Sequence, residues 1–447
     1  MPELTKVDGG AVRVVKWTVM DGERRLGLGS ATALVVANMV GTGVFTTSGF
    51  LIADLGSAWL VLLVWVLGGL VALLGAMCYG ALARHIPESG GEYVFLSRTL
   101  HPALGYLAGW VSLLVGFSVP LGALAYAFGQ YMSALGGPAL ASPRLTGTAI
   151  VLVAAAVHAV SLTGGARVQA IAVGIELIAI ALFTGFGMGQ LAHEGLHNVA
   201  TPGRMAGLGV ALVMVSYSYQ GWNAAVYVGG EVKEPRKNLP RALVLGTAIV
   251  TALYLGLNAV FVLGTPAPLL AGKVDVGRIA ALVLGGPRLA RLVSGLIAFV
   301  LAICVSALVM AGPQVVARMA ADGFLPRVFA VRPGRPPRVA LLAQTAIGIV
   351  ALWTAAFASL LTYVGFTLSL VAAATVMGLV WQRYKRGPAL AVPGWPWVPA
   401  VFLVFVLGAT TFTVAGRPRE SLVGLSTLAV GLLAFCLQRR RVRKRSS

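Results

Sequence analysis

The residues of this sequence that could do chemistry are few and far apart. Gly41-Thr-Gly43 interrupts one long apolar run, and Tyr219-Gln-Gly-Trp-Asn223 interrupts another. A helix broken at glycine frees carbonyls at one new end and backbone N–H groups at the other, and the two ends carry opposite partial charge. Glu176 stands alone among apolar residues. His193-Glu-Gly-Leu-His197 has the H-E-x-x-H spacing, in which two histidines one turn apart hold zinc and the glutamate activates its water. The chemistries on offer are therefore recognition of a dipolar solute by helix ends, titration or ion pairing at one acid, and metal-assisted hydrolysis. Hydrolysis is the remote reading, because Gly195 lies inside the motif, Pro202 lies just beyond it, and no nearby histidine or mid-span aspartate offers a third ligand. No catalytic residue, metal or cofactor is expected.

The elements that must position these residues are membrane spans. The chain is 58% hydrophobic and 11% charged, with a mean hydropathy of +0.88. Apolar runs of about 20 residues recur along it, as spanning a bilayer requires. They fall near 28–53, 57–83, 102–134, 145–164, 166–190, 206–230, 241–264, 289–316, 339–358, 360–382, 396–415 and 421–438, which predicts an all-α polytopic membrane protein of about twelve transmembrane helices. Residues 1–27 are polar and basic and read as a cytoplasmic segment rather than a cleavable signal peptide. With that end inside, the inner segments hold 26 of the 34 Lys and Arg residues, so both termini are expected in the cytoplasm, on the inner membrane. The same distribution accounts for the net charge of +20 without nucleic acid; the basic tail 439–447 is expected against anionic lipid. Cys78, Cys304 and Cys436 all fall inside spans, which excludes a loop disulfide.

Position gives the interruptions their meaning. Glycine makes up 56 of 447 residues, so Gly-x-Gly alone says nothing. In lipid, however, unwound backbone is tolerated at mid-depth only where it lines a cavity, and paired broken spans in corresponding halves point to a transporter's binding site. Span one would present free carbonyls near Ala37 to Val40 and free N–H groups near Thr42 to Val44; span six would present carbonyls near Tyr217 to Tyr219. N–H ends favour a carboxylate and carbonyl ends an ammonium, so the pair reads a zwitterionic α-amino acid.

Four motifs in order carry a family resemblance: Gly41-Thr-Gly-Val-Phe45, Pro87-Glu-Ser-Gly-Gly-Glu-Tyr-Val-Phe95, Tyr219-Gln-Gly-Trp-Asn223 leading into Gly230-Glu-Val-Lys-Glu-Pro-Arg-Lys-Asn-Leu-Pro-Arg241, and Ala317-Arg-Met-Ala-Ala-Asp-Gly-Phe-Leu-Pro326. From about residue 28 to 435 the chain resembles the amino acid–polyamine–organocation superfamily, in particular its bacterial members similar to L-type amino acid transporters. The resemblance implies a LeuT-like 5+5 inverted repeat with spans one and six unwound at mid-membrane. The ten-helix core would occupy 28–382, as halves 28–190 and 206–382, with two peripheral helices over 396–438. It implies a secondary active transporter working by alternating access, proton-coupled or by exchange. Gly41, Thr42 and Gly43 would hold the substrate carboxylate, and the carbonyls of Met39 and Tyr217 the amino group. Tyr217 would also cover the substrate, and Gln220 and Gly221 complete the substrate-binding set. Asn223 would brace the break, Trp222 is either wall or packing, and Glu231 with Lys233 is either an inner gate or a plain interfacial ion pair.

Glu176 departs from that pattern, standing where such relatives carry a lysine. Three readings stay open for it: a proton-coupling carboxylate, a counter-charge for a polyamine or cationic amino acid, or a satisfied structural acid. Asn38, His158, Asn258 and Gln314 are read as hydrogen bonds between helices. Expected partners are a small amino acid or amine, protons as a candidate coupling ion, and the bilayer, with the chain a monomer or homodimer.

Overall fold

The computed structural model describes residues 26–136, 140–160, 165–194, 205–321, 325, 327–329, 337–387 and 390–446. Gln314's side chain and His197 therefore lie outside the described residues, as does most of segment 1–27.

The first apolar run forms two helices, α1 (Leu28–Met39) and α2 (Thr42–Leu55), bent by 41° across Val40 and Gly41. There follow α3 (Ala58–His85), α4 (Gly91–Thr99), α5 (Pro102–Val111), α6 (Val119–Ser133), α7 (Pro143–Val160), α8 (Gly165–Glu194), α9 (Leu208–Ser218) and α10 (Pro235–Leu263). The second half of the chain adds α11 (Ala267–Leu270), α12 (Val276–Ala321), α13 (Arg338–Thr354), α14 (Phe357–Arg386), α15 (Trp397–Gly416) and α16 (Pro418–Ser446). A π-helical stretch, Ser112–Ser118, joins α5 to α6: Pro120 has no N–H for the Gly116 carbonyl, and the ladder slips to the wider register in which the Val119 N–H reaches Leu114.

Among the described residues, nine helices are long and apolar enough to cross a membrane, and the bent α1–α2 pair makes a tenth span. Two shorter apolar helices, α9 and α13, lie where the sixth and ninth runs were expected. No strand forms among the described residues; an isolated parallel bridge joins Leu26 to Val232. The outer faces stay apolar, with Leu182, Leu342 and Phe412 among many large exposed hydrophobics. A lipid-facing surface has that composition, whereas a protein in water rarely exposes so much.

Inside, small residues let helices approach closely. The α3 helix packs along α10, and α9 against α14 and α15. Trp65, Tyr219 and Tyr254 form a mutually packed aromatic group behind the first span, with ring centroids 5.3–5.8 Å apart.

Two features lie outside the expected spans. The segment between the second and third spans holds a helix, α4, whose Glu92 and Phe95 are buried, because its apolar face docks on α14. The eighth run enters helix at Pro287, close to the expected 289, and a further helical stretch from Val276 precedes it across the break at Gly285 and Gly286.

Candidate functional site

The site is built where two broken spans cross. Gly41 is extended (φ −157°, ψ −155°) and caps α2 without any side-chain bond, so the first N–H groups of α2, from Thr42, Gly43 and Val44, have no partner within the helix. On the other side of the break the last carbonyls of α1 are held from behind. Tyr254 donates to the Met39 carbonyl at 2.6 Å, and the Cys304 thiol points at the Val40 carbonyl at 3.6 Å. The second break follows Ser218, where the chain turns through Tyr219–Asn223 into a 3-10 helix over Ala224–Glu231. The Tyr217 carbonyl accepts the Gln220 N–H at 3.0 Å and shares the Tyr219 N–H with the Val215 carbonyl.

The two breaks touch at glycines. A Cβ on Gly43 would overlap Ser218, and one on Gly221 would overlap the Asn38 carbonyl; Gly221 also sits at φ 100°, where an L side chain is strained. Thr42 Oγ1 and the Tyr217 hydroxyl are 2.9 Å apart, and Thr47 Oγ1 and Ser218 Oγ are 2.9 Å apart. Gly41 is different: a Cβ there meets nothing within 4 Å.

Around these ends lies a cavity of about 410 Å³. Its lining includes Asn38 to Gly43 of the first break, Ser216 to Ala224 of the second, the π-helical Ser112, Gly116 and Phe117, and Glu176 and Cys304. No Lys, Arg or His lines it among the described residues. Gly43 is the last residue of α2 to reach it; on the other side the lining runs to Glu92 and Tyr227, towards the Leu26–Val232 bridge. Beyond Gly43 the bundle is shut. The buried Tyr131 hydroxyl donates to the Phe45 carbonyl at 2.9 Å and accepts from the Gly277 N–H at 3.2 Å, and the Gly272 N–H donates to the Gly49 carbonyl at 2.8 Å. Phe50, Phe357 and Tyr126 stack over that closure.

The expected site residues Met39, Gly41, Thr42, Gly43, Tyr217, Gln220 and Gly221 all line this one cavity. Gln220 folds back on its own helix, with Nε2 3.3 Å from the Ser216 carbonyl. Trp222 meets Tyr79 edge-on at 4.6 Å and presents its remaining surface to the cavity. Asn223 donates to Glu92 Oε1. Glu231 is exposed, and it is its carbonyl that holds the Leu26 N–H, at 3.1 Å. His158 bonds Ser306 of α12 at 2.8 Å and Asn258 accepts from Ser48 at 2.6 Å, both between helices, whereas Asn38 bonds only Leu34 of its own helix. His193 sits at the exposed end of α8, and no group of three potential metal ligands exists among the described residues.

Sequence reasoning missed the acid that organises the second break. Glu92, 6% exposed, accepts from Asn223 and the Tyr227 hydroxyl, and from the Tyr79 hydroxyl at 3.2 Å. A carboxylate with three donors is well satisfied, and it ties α4 and α3 to the unwound part of span six. The available signal was an acid that begins a short helix after a Gly-Gly pair.

Residues 26–434 match the family model described as amino acid permease. The chain belongs to the amino acid permease family. It is a membrane transporter for amino acids, working by exchange or coupled transport, and not an enzyme. It is 28% identical over 437 residues to Asc-type amino acid transporter 1 of Mus musculus, covering 93% of this chain and 81% of that one. It is likewise 28% identical over 441 residues to large neutral amino acids transporter small subunit 2 of Homo sapiens, covering 93% and 80%. With the serine/threonine exchanger SteT of Bacillus subtilis the identity is 27% over 427 residues, covering 91% of this permease and 96% of the exchanger.

Proposed function

We propose that this permease carries a neutral, zwitterionic α-amino acid, held between the two broken spans. One observation carries the reading: the unpartnered N–H groups of α2 and the carbonyl ends of α1 and α9 open on one cavity that, among the described residues, no basic side chain lines. The carboxylate sits against the N–H groups of Thr42 to Val44 with the Thr42 hydroxyl. The ammonium sits against the Met39 and Tyr217 carbonyls, and Tyr217 covers the bound molecule. Val364, Leu368 and Phe117 leave the substrate side chain an apolar wall. The relatives named for neutral, or serine and threonine, transport agree with that class.

Transport proceeds by alternating access through twelve spans in two inverted halves, with the cytoplasm on the side of the basic segments. The arrangement described above, open towards Glu92 and shut beyond Gly43, is then the inward-facing state. The test is uptake of a radiolabelled amino acid panel into proteoliposomes, comparing wild type with Gly41→Val. Gly41 has extended backbone and open space around its Cβ, so valine adds bulk to the cavity without strain; binding should be lost and the melting temperature kept. Gly43→Ala, by contrast, should lower the melting temperature because its Cβ meets Ser218 backbone. Wild-type uptake by Gly41→Val would remove the carboxylate from this break.

A further inference from the structure

The cavity holds one acid that nothing answers. Glu176, on α8, is 4% exposed and lines the cavity, and its Oε1 has no hydrogen-bond partner among the described residues. At this depth a carboxyl group must be hydrogen-bonded, paired or uncharged. The elements that pack most on α8 are α10 and α12, and the titratable groups they turn towards Glu176 are Tyr254 and Cys304. Both have already spent their one proton, Tyr254 on the Met39 carbonyl and Cys304 towards the Val40 carbonyl. His158, on α7, is bonded to Ser306.

Among the described residues, no basic residue lies near Glu176 along these helices. On α10 the nearest basic residue is Arg241, thirteen residues from Tyr254; on α12 Arg291 and Arg318 are thirteen and fourteen residues from Cys304. These are separations of about 20 Å along a helix. Arg167, on α8 itself, is nine residues from Glu176, about 13 Å along the axis.

The groups turned towards Glu176 thus offer it no free proton: the Tyr254 hydroxyl and the Cys304 thiol each point at a carbonyl at the negative end of α1. Positive charge has to be added at Oε1. A proton needs that one oxygen, whereas a hard metal cation takes about six.

We propose that Glu176 binds the proton that travels with the amino acid, a reading that rests on the transport site above and adds its coupling ion. The proton comes from water on one side, sits on Oε1 and returns to water on the other, with no other bond changed. Protonated, the carboxyl donates to an oxygen at the end of α1 and lets the break close on the substrate. Deprotonated, its charge repels those carbonyls and opposes closure.

The experiment uses purified full-length protein in proteoliposomes with the amino acid that the wild type takes up best. A one-unit inward proton gradient should raise wild-type accumulation up to about tenfold at one proton per substrate. Glu176→Gln should lose that drive yet still exchange labelled for unlabelled substrate, and Glu176→Asp should keep the drive with a displaced pH profile. Size-exclusion profiles identify a variant that does not fold; if Glu176→Gln fails there, the Glu176→Asp profile decides. The proposal is overturned if wild-type accumulation ignores the proton gradient or follows a sodium gradient. It is equally overturned if Glu176→Gln keeps the drive, or loses only lysine and ornithine uptake as a counter-charge would require. Wild-type exchange without gradient drive removes the proton alone; no wild-type exchange of any amino acid removes the transport site as well.

Discussion

Tyr131→Phe should open the side of the bundle that is shut. The hydroxyl joins three elements: it belongs to α6, donates to the Phe45 carbonyl of α2 at 2.9 Å, and accepts the N–H of Gly277, in the first turn of α12, at 3.2 Å. Tyr131 is fully buried, so no water replaces the oxygen when phenylalanine keeps the ring and loses it. The Gly277 N–H lies where a helix offers no internal acceptor, and leaving it unpaired costs about 1–3 kcal/mol. Phe45 has its own helix partner and loses only a second bond. Taking about 2 kcal/mol, all of it on the closed state, the closed-to-open ratio falls roughly 30-fold. The assay places Thr46→Cys, buried on α2 one turn beyond Gly43, in a background with Cys78, Cys304 and Cys436 replaced by alanine. A membrane-impermeant thiol reagent added outside intact cells should then label Cys-substituted position 46 at least tenfold faster when Tyr131 is phenylalanine. An unchanged rate in a folded variant would refute the hydroxyl as the closure.

Two further outcomes follow from the same structure. Glu92→Gln keeps the shape but gives Asn223 and the Tyr227 and Tyr79 hydroxyls a neutral acceptor; with charge-assisted bonds worth about 1.5–3 kcal/mol each, the variant should melt lower and transport more slowly, and a wild-type melting curve would count against Glu92 as the brace. Ala141→Cys and Arg386→Cys, each made singly in the same cysteine-free background, should respond oppositely to the impermeant reagent, with Ala141→Cys labelled from outside; the reverse pattern would invert the orientation inferred from Lys and Arg.

The apolar runs were legible because lipid solvation is a property of consecutive residues, and helix lengths follow from bilayer thickness. The first break was legible for a similar reason: Gly41-Thr-Gly43 sits at the centre of its run, and α1 and α2 do part there. Glu92 was not. It lies 131 and 135 residues from Asn223 and Tyr227, and its segment is short and polar, so the Gly-Gly pair before it marks a helix start but not the burial of the acid. Gly43 was half legible: its place at the break could be read, but its contact with Ser218 is set by how two helices cross. The end of α9 at Ser218 was legible in the same way as the first break, since it falls at the edge of the Tyr219–Asn223 interruption. Asn38 shows the opposite error to Glu92, a polar residue in a span that bonds only within its own helix.

The contacts between the breaks constrain how access can alternate. On the shut side, Thr47 holds Ser218, so the distal half of span one is fastened to α9. On the open side, Lys233 N–H donates to the Leu26 carbonyl at 2.8 Å and Leu26 N–H to the Glu231 carbonyl, so the chain entering α1 is fastened to the chain leaving the second break. Each broken span is therefore tied to the other above and below the cavity, and free of its own other half in between. A substrate that bridges the N–H end of α2 and the carbonyl ends of α1 and α9 replaces the covalent regularity missing at mid-depth with hydrogen bonds. It can shift the balance between open and shut only by as much as those bonds differ between the two states. The glycines let the helix ends of the two breaks come close together, and on the proposed reading one small molecule touches them all.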